Sequence, residues 1–109
     1  MPENIASTRD VLLQTETIEA AAEFYEKEFG LAVFHRSETI IGLETGAFRL
    51  FLDRGEAYGP VFEFIVPDLE STKSRLITAG CRIENEAPSV PRCYLRDPFG
   101  LVFNISQRP

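Results

Sequence analysis

The 109-residue chain has a single histidine, His35, and two cysteines, Cys81 and Cys93. One imidazole cannot by itself build the multi-histidine sites that hold catalytic zinc or iron. The cysteines form neither a C-x-x-C pair nor a disulfide framework. Each lies in an apolar, strand-like stretch, where a free thiol behaves as a small buried hydrophobe. Basic residues are also few: 11 Lys and Arg against 17 Asp and Glu leave a net charge of -6. The clustered positive charge that nucleic-acid phosphates require is therefore missing. No apolar run approaches the roughly 20 residues of a membrane span, and the opening MPENIASTRD lacks the basic-then-apolar order of a secretory leader. A cytoplasmic protein with neither a nucleic-acid nor a membrane partner is the expectation. There is also no G-x-S-x-G, no Cys framed with a partner His, and no Gly-rich phosphate loop.

What is present reads as one compact domain, residues 1–109, with 44% apolar and 26% charged residues. Two halves follow the same order. VLLQTETIEAAAEFYEKEFGLAVF runs strand, Thr17 as helix N-cap, helix, Gly30 as stop, strand; VFEFIVPDLESTKSRLITAGCRI repeats it with Asp68 and Gly80. Thr17 to Gly30 is thirteen steps and Asp68 to Gly80 twelve, with Glu19 and Glu70 each two places past the cap, where a carboxylate suits the positive helix end. Gly30 and Gly80 fall where a left-handed residue ends a helix. Ile18, Ala22, Tyr25 and Phe29 make an apolar stripe at helical spacing, and Leu69, Thr72 and Leu76 a weaker one. Short strand patterns follow each helix: LAVFHRS, TIIGLET and AFRLFLD, then CRIEN, RCYLR and LVFNIS. The result is βαβββ twice, with repeat one at about residues 10–53, a linker at about 54–60 and repeat two at about 61–106.

The helix AAEFYEKEFGL, with its F-Y-x-x-x-x-G-L, the strand and cap FIVPDLE, and the closing Asp97-Pro98-Phe99-Gly100 turn occur in the order that resembles the vicinal oxygen chelate superfamily. That group includes glyoxalase I, extradiol dioxygenases, fosfomycin resistance enzymes and bleomycin resistance proteins. The resemblance runs from about Asp10 to Ile105. It implies an α+β fold of two βαβββ repeats whose curled mixed sheets surround a cup, with the helices on the outer face, and a homodimer. The fold alone does not name a chemistry.

Alternation along each strand then sorts the side chains. Val11, Leu13, Phe48, Leu50, Leu52, Phe62, Phe64, Val66, Leu101, Phe103 and Ile105 are predicted to face the helices. The candidate ligand-binding residues facing the cup are Asp10, Gln14, Arg49, Phe51, Val61, Glu63 and Asn104. A bland reading stands beside this one: Glu63 and Arg49 as a solvated ion pair worth about 0–1 kcal/mol, Gln14 and Asn104 as satisfied structural amides, and His35 as a structural residue near a strand end.

By resemblance, the superfamily's four metal-ligand positions fall on Asp10, Phe51, Val61 and Asn104. Two of those side chains cannot ligate, so no metal and no other cofactor is expected, and no catalytic residue is assigned. The function expected is metal-free binding of a small molecule, with a cationic one suggested by the carboxylates, in the cup or at a dimer interface. The alternatives are a metal-dependent glyoxalase-like lyase or isomerase or an extradiol dioxygenase with an atypical site, and a non-catalytic dimeric interaction module.

Overall fold

A computed structural model describes residues 5–87 and 92–107; the first four residues, on which the leader reading partly rests, lie outside them. The chain divides into two compact units, Arg9–Val61 and the N-terminal segment together with the stretch from Phe62 onward.

In the first unit, β1 (Ala6–Thr15) leads through α1 (Ile18–Phe29) to β2 (Ala32–Arg36), β3 (Ile40–Glu44) and β4 (Arg49–Arg54). The strands lie in the order β2-β3-β4-β1, with β1 parallel to β4 and the other pairs antiparallel. β1 begins four residues ahead of the DVLLQT stretch that alternation marks as strand. Ile18 and Ala22 of α1 pack on Ile41, Leu43, Leu50 and Leu52, with Leu13, Tyr25 and Val33 around them. Ile18, Ile41 and Leu43 are fully buried, and each such side chain contributes about 1.5–3 kcal/mol by leaving water. Gly30 ends α1 with φ 70° in the left-handed region, which a glycine adopts without a Cβ penalty.

The matching elements are β5 (Tyr58–Ile65), which enters the second unit at Phe62, then α2 (Leu69–Thr78), β6 (Arg82–Ala87), β7 (Arg92–Arg96) and β8 (Val102–Ser106). Their order is β5-β8-β7-β6, with β5 parallel to β8. Val66, Leu69, Cys81, Cys93, Leu95 and Ile105 form the core, bordered by Phe64, Leu76 and Phe103. Asp68 caps α2 by accepting from the Ser71 N–H at 3.1 Å. The Leu69 N–H, a second unpaired donor of that first turn, goes to Gln107 Oε1 at 2.6 Å. The Asp97 turn is closed by one carboxylate oxygen accepting from the Phe99 and Leu101 N–H groups at 2.8 and 2.9 Å.

Several expectations need correction. Thr17 precedes α1 without a side-chain cap, its hydroxyl lying instead 3.5 Å from that of Thr15. α2 ends on Ala79 in right-handed geometry, and Gly80 follows at φ 110°. Tyr58, Gly59 and Pro60, placed in the linker, are the first residues of β5. Phe48, Phe62 and Leu101 are exposed rather than packed beneath helices, and Phe29, the last residue of the α1 stripe, is exposed as well. Phe29, Phe48 and Leu101 sit at or beside an element's end, where the neighbouring turn of helix or next strand that would cover them is absent, whereas Phe62 is exposed in the middle of β5, opposite Phe103. Phe29 leans on Tyr25, with ring centroids 5.4 Å apart.

Candidate functional site

The two parallel strand pairs, β1 with β4 and β5 with β8, each bring polar side chains together on the sheet face away from the helix. Residues directly opposite in neighbouring strands share a face. In the first unit Asp10 is opposite Arg49, Leu12 opposite Phe51, and Gln14 opposite Asp53. Arg49 donates Nε to Asp10 Oδ1 at 2.7 Å and Nη2 to Oδ2 at 3.0 Å, a two-pronged, charge-assisted contact. Its guanidinium carbon lies 5.4 Å from the Phe34 ring centre and 5.7 Å from that of Phe51, within cation–π range. The rings themselves meet edge to face at 5.5 Å.

Gly42 makes room for this arrangement. A Cβ there would come within 2.6 Å of the Phe34 ring and 3.0 Å of the Phe51 ring. Gln14 is elsewhere, its carboxamide 3.2 Å from where a Cβ on Gly55 would stand. Val61 is buried and hydrocarbon.

In the second unit Glu63 is opposite Asn104 and Ile65 opposite Ser106 on β8. On β7, Tyr94 and Arg92 are opposite Asn104 and Ser106. Asn104 donates Nδ2 to Glu63 Oε2 at 3.0 Å. Asn104 and Ser106 are 4% and 9% exposed, and Asn104 Oδ1 and Ser106 Oγ have no hydrogen-bond partner. A buried polar atom left unpaired costs about 1–3 kcal/mol, so this pair is held against a penalty that a donor would relieve. Glu63 is half-buried and gives the group its exit to solvent.

The four positions carried over from the superfamily do not offer a divalent ion a ligand set. Both oxygens of Asp10 are engaged by Arg49, whose positive charge would have to leave first. Phe51 and Val61 have no donor atom, and the Asn104 amide is a neutral, weak ligand. Among the described residues no three His, Cys, Asp or Glu side chains converge.

The remaining reactive groups lie apart. His35 is exposed on β2. Cys81 and Cys93 are buried and free, and burial pushes both thiols up, away from the thiolate that reactivity needs. Lys73 is held between Glu86 and Glu70, which push it up to about 12, so it stays a cation and no nucleophile.

Sequence reasoning missed Phe34. The β2–β3 register shifts between Val33 and His35, and alternation counted across a bulge loses its phase. Ser106 falls on the cup face by alternation, yet nothing in its residue type marks it as buried and unpaired.

No known sequence family and no curated protein matches the chain. Solved structures do share its fold. A hypothetical protein from Bacillus halodurans C-125 superimposes with a TM-score of 0.75 over 98% of this chain and 96% of that one, at 13% identity. A glyoxalase/bleomycin resistance protein/dioxygenase superfamily member from Vibrio splendidus 12B01 gives 0.68 over 96% and 100%, at 16% identity. Homoprotocatechuate 2,3-dioxygenase from B. fuscum gives 0.73 at 19% identity, and there the chain covers 96% of its own length but 33% of the dioxygenase. At such identities the likeness is one of fold.

Proposed function

We propose that this chain, which has the fold of the glyoxalase, bleomycin resistance and dioxygenase superfamily, binds a small amine-bearing molecule at Glu63, Asn104 and Ser106 without a metal ion. The observation that carries this reading is the unpaired Asn104 Oδ1 beside the Glu63 carboxylate. Three oxygens that accept hydrogen bonds on one face, one of them charged, suit an ammonium or a donor-rich ring. The ligand meets Glu63 first, and rotation of Asn104 and Ser106 about their side-chain bonds brings their oxygens to it. Tyr94 offers an aromatic edge on the same face. Arg92, opposite Ser106, puts a positive charge at the far end, which favours a monovalent amine near Glu63 over a multivalent cation.

Amide NMR titration with a panel of small aromatic and sugar amines tests the proposal. Saturable shifts at Glu63, Asn104 and Ser106 that vanish in Glu63→Gln are the expected result. A panel that leaves these signals still defeats the reading. Stoichiometric nickel, zinc, iron or manganese in protein purified without chelators overturns its metal-free part and favours the metalloenzyme alternative.

A further inference from the structure

The face of the second unit's sheet that carries Asn104 and Ser106 is ordered in two rows across the strands. In one row Asn104 has Glu63 on β5 and Tyr94 on β7 as its direct neighbours; in the next, Ser106 has Ile65 and Arg92. Residues opposite one another share a face, so the carboxylate belongs to the Asn104 row and the guanidinium to the Ser106 row. Arg92 alternates with Cys93, and Cys93 and Leu95 are buried in the core with Leu69 of α2. The Arg92 side chain therefore leaves the sheet on the Ser106 side. It is half-buried and makes no hydrogen bond or ion pair with a described residue.

Each row also holds one buried oxygen without a partner, Asn104 Oδ1 in the first and Ser106 Oγ in the second. The two differ in what they can bond. An amide oxygen only accepts, whereas a hydroxyl also donates. Beside Glu63 the Asn104 oxygen suits an ammonium; beside Arg92 the Ser106 hydroxyl suits a carboxylate, to which both would donate. Two residues along β8 separate the rows by about 6.4–6.8 Å. An extended chain advances about 1.2 Å per bond, so the five bonds from nitrogen to carboxyl carbon in δ-aminovalerate span about 6 Å, while the two bonds of its α isomer span about 2.5 Å.

We propose that the ligand of this site is an ω-amino carboxylate of four or five carbons, held by its ammonium at Glu63 and Asn104 and by its carboxylate at Ser106 and Arg92. This rests on the amine reading above and assigns the Ser106 hydroxyl and Arg92 to the ligand's other end. The methylene chain lies along Ile65 and Tyr94. Reversal of the ligand would set its carboxylate on Glu63 and its ammonium on Arg92, so the rows impose one direction.

Amide NMR titrations of the full chain with δ-aminovalerate, α-aminovalerate and pentylamine test this. δ-Aminovalerate is expected to bind about tenfold or more tighter than the other two, since it alone completes charge-assisted bonds in both rows. Arg92→Gln should erase that advantage without weakening pentylamine, because it removes a positive charge from a site that holds an ammonium. A variant that merely damages the site weakens both ligands alike, and that result overturns the proposal. So does a native chain that binds pentylamine or the α isomer as tightly as δ-aminovalerate. In that case pentylamine binding at Glu63 leaves the amine reading standing, whereas no saturable shift with any of the three ligands defeats both.

Discussion

Asn104 and Glu63, 41 residues apart, meet through one hydrogen bond of 3.0 Å where β5 and β8 run parallel, while the other end of the Asn104 amide is buried and unpaired. The bond contributes about 1.5–3 kcal/mol and the orphaned oxygen costs about 1–3 kcal/mol, so the two nearly cancel. Asn104→Leu, similar in volume, is therefore expected to change the free energy of unfolding by less than about 1 kcal/mol. It should nevertheless abolish amine binding at Glu63. Urea denaturation beside NMR titration measures both; a loss of about 3 kcal/mol or more would make Asn104 a structural residue instead.

Arg49 holds Asp10 with two nitrogens and lies against two aromatic rings. A lysine keeps the charge but has neither the fork nor the flat face. Arg49→Lys is expected to lower stability by about 1 kcal/mol, given side chains that are partly solvated. A double-mutant cycle with Asp10→Asn should show that most of this loss is coupling between the two. Additive single losses would refute the pairing.

Gly59 has φ 119°, and a Cβ there would stand 2.8 Å from the Leu12 carbonyl oxygen. That neighbour is backbone of β1 and cannot turn aside. Gly59→Ala should cost about 2 kcal/mol or more, visible as a lower denaturant midpoint. A midpoint unchanged from the native protein would contradict the close approach.

Lys73 carries the chain's clear pH signature. Glu86, and after it Glu70, raise its folded pKa from 10.5 to about 12. A raised folded value favours the folded state while the amine is protonated in both states. The contribution is complete below about pH 10.5 and disappears as pH climbs to about 12. The difference in urea midpoint between the native chain and Lys73→Met should therefore stay constant to about pH 10 and narrow above it. A difference that widens with alkali has the wrong sign for this ion cluster.

Much of the fold was legible because its pattern is local. Ile18 and Ala22 recur at helical spacing, and Phe64 with Val66 alternates against Glu63, so each lands on the face its period demands. Phe48, Leu101 and Phe29 failed for a shared reason: periodicity gives a direction but not a cover, and element ends lack one; Phe62, inside β5, is exposed without that explanation. The site was harder to read. Asp10 and Arg49 could each be assigned to a face, but their pairing needs β1 and β4 side by side in parallel. Phe34 joined them through a bulge that has no marker in residue type. The unpaired state of Asn104 Oδ1 depends on every neighbour at once, and alternation carries no such information.

The bond from Leu69 to Gln107 also bears on how the chain is made. The side chain that completes the first turn of α2 lies 38 residues further along, and the residues of β8 on which β5 pairs lie 41 residues beyond their partners. At about 5–20 residues per second, the ribosome releases α2 some seconds before either arrives. During that interval β5 has a bare edge and its phenylalanines have no partner strand, a condition in which nascent chains recruit chaperones. The second unit thus matures in one late step, when β8 is delivered, rather than growing strand by strand.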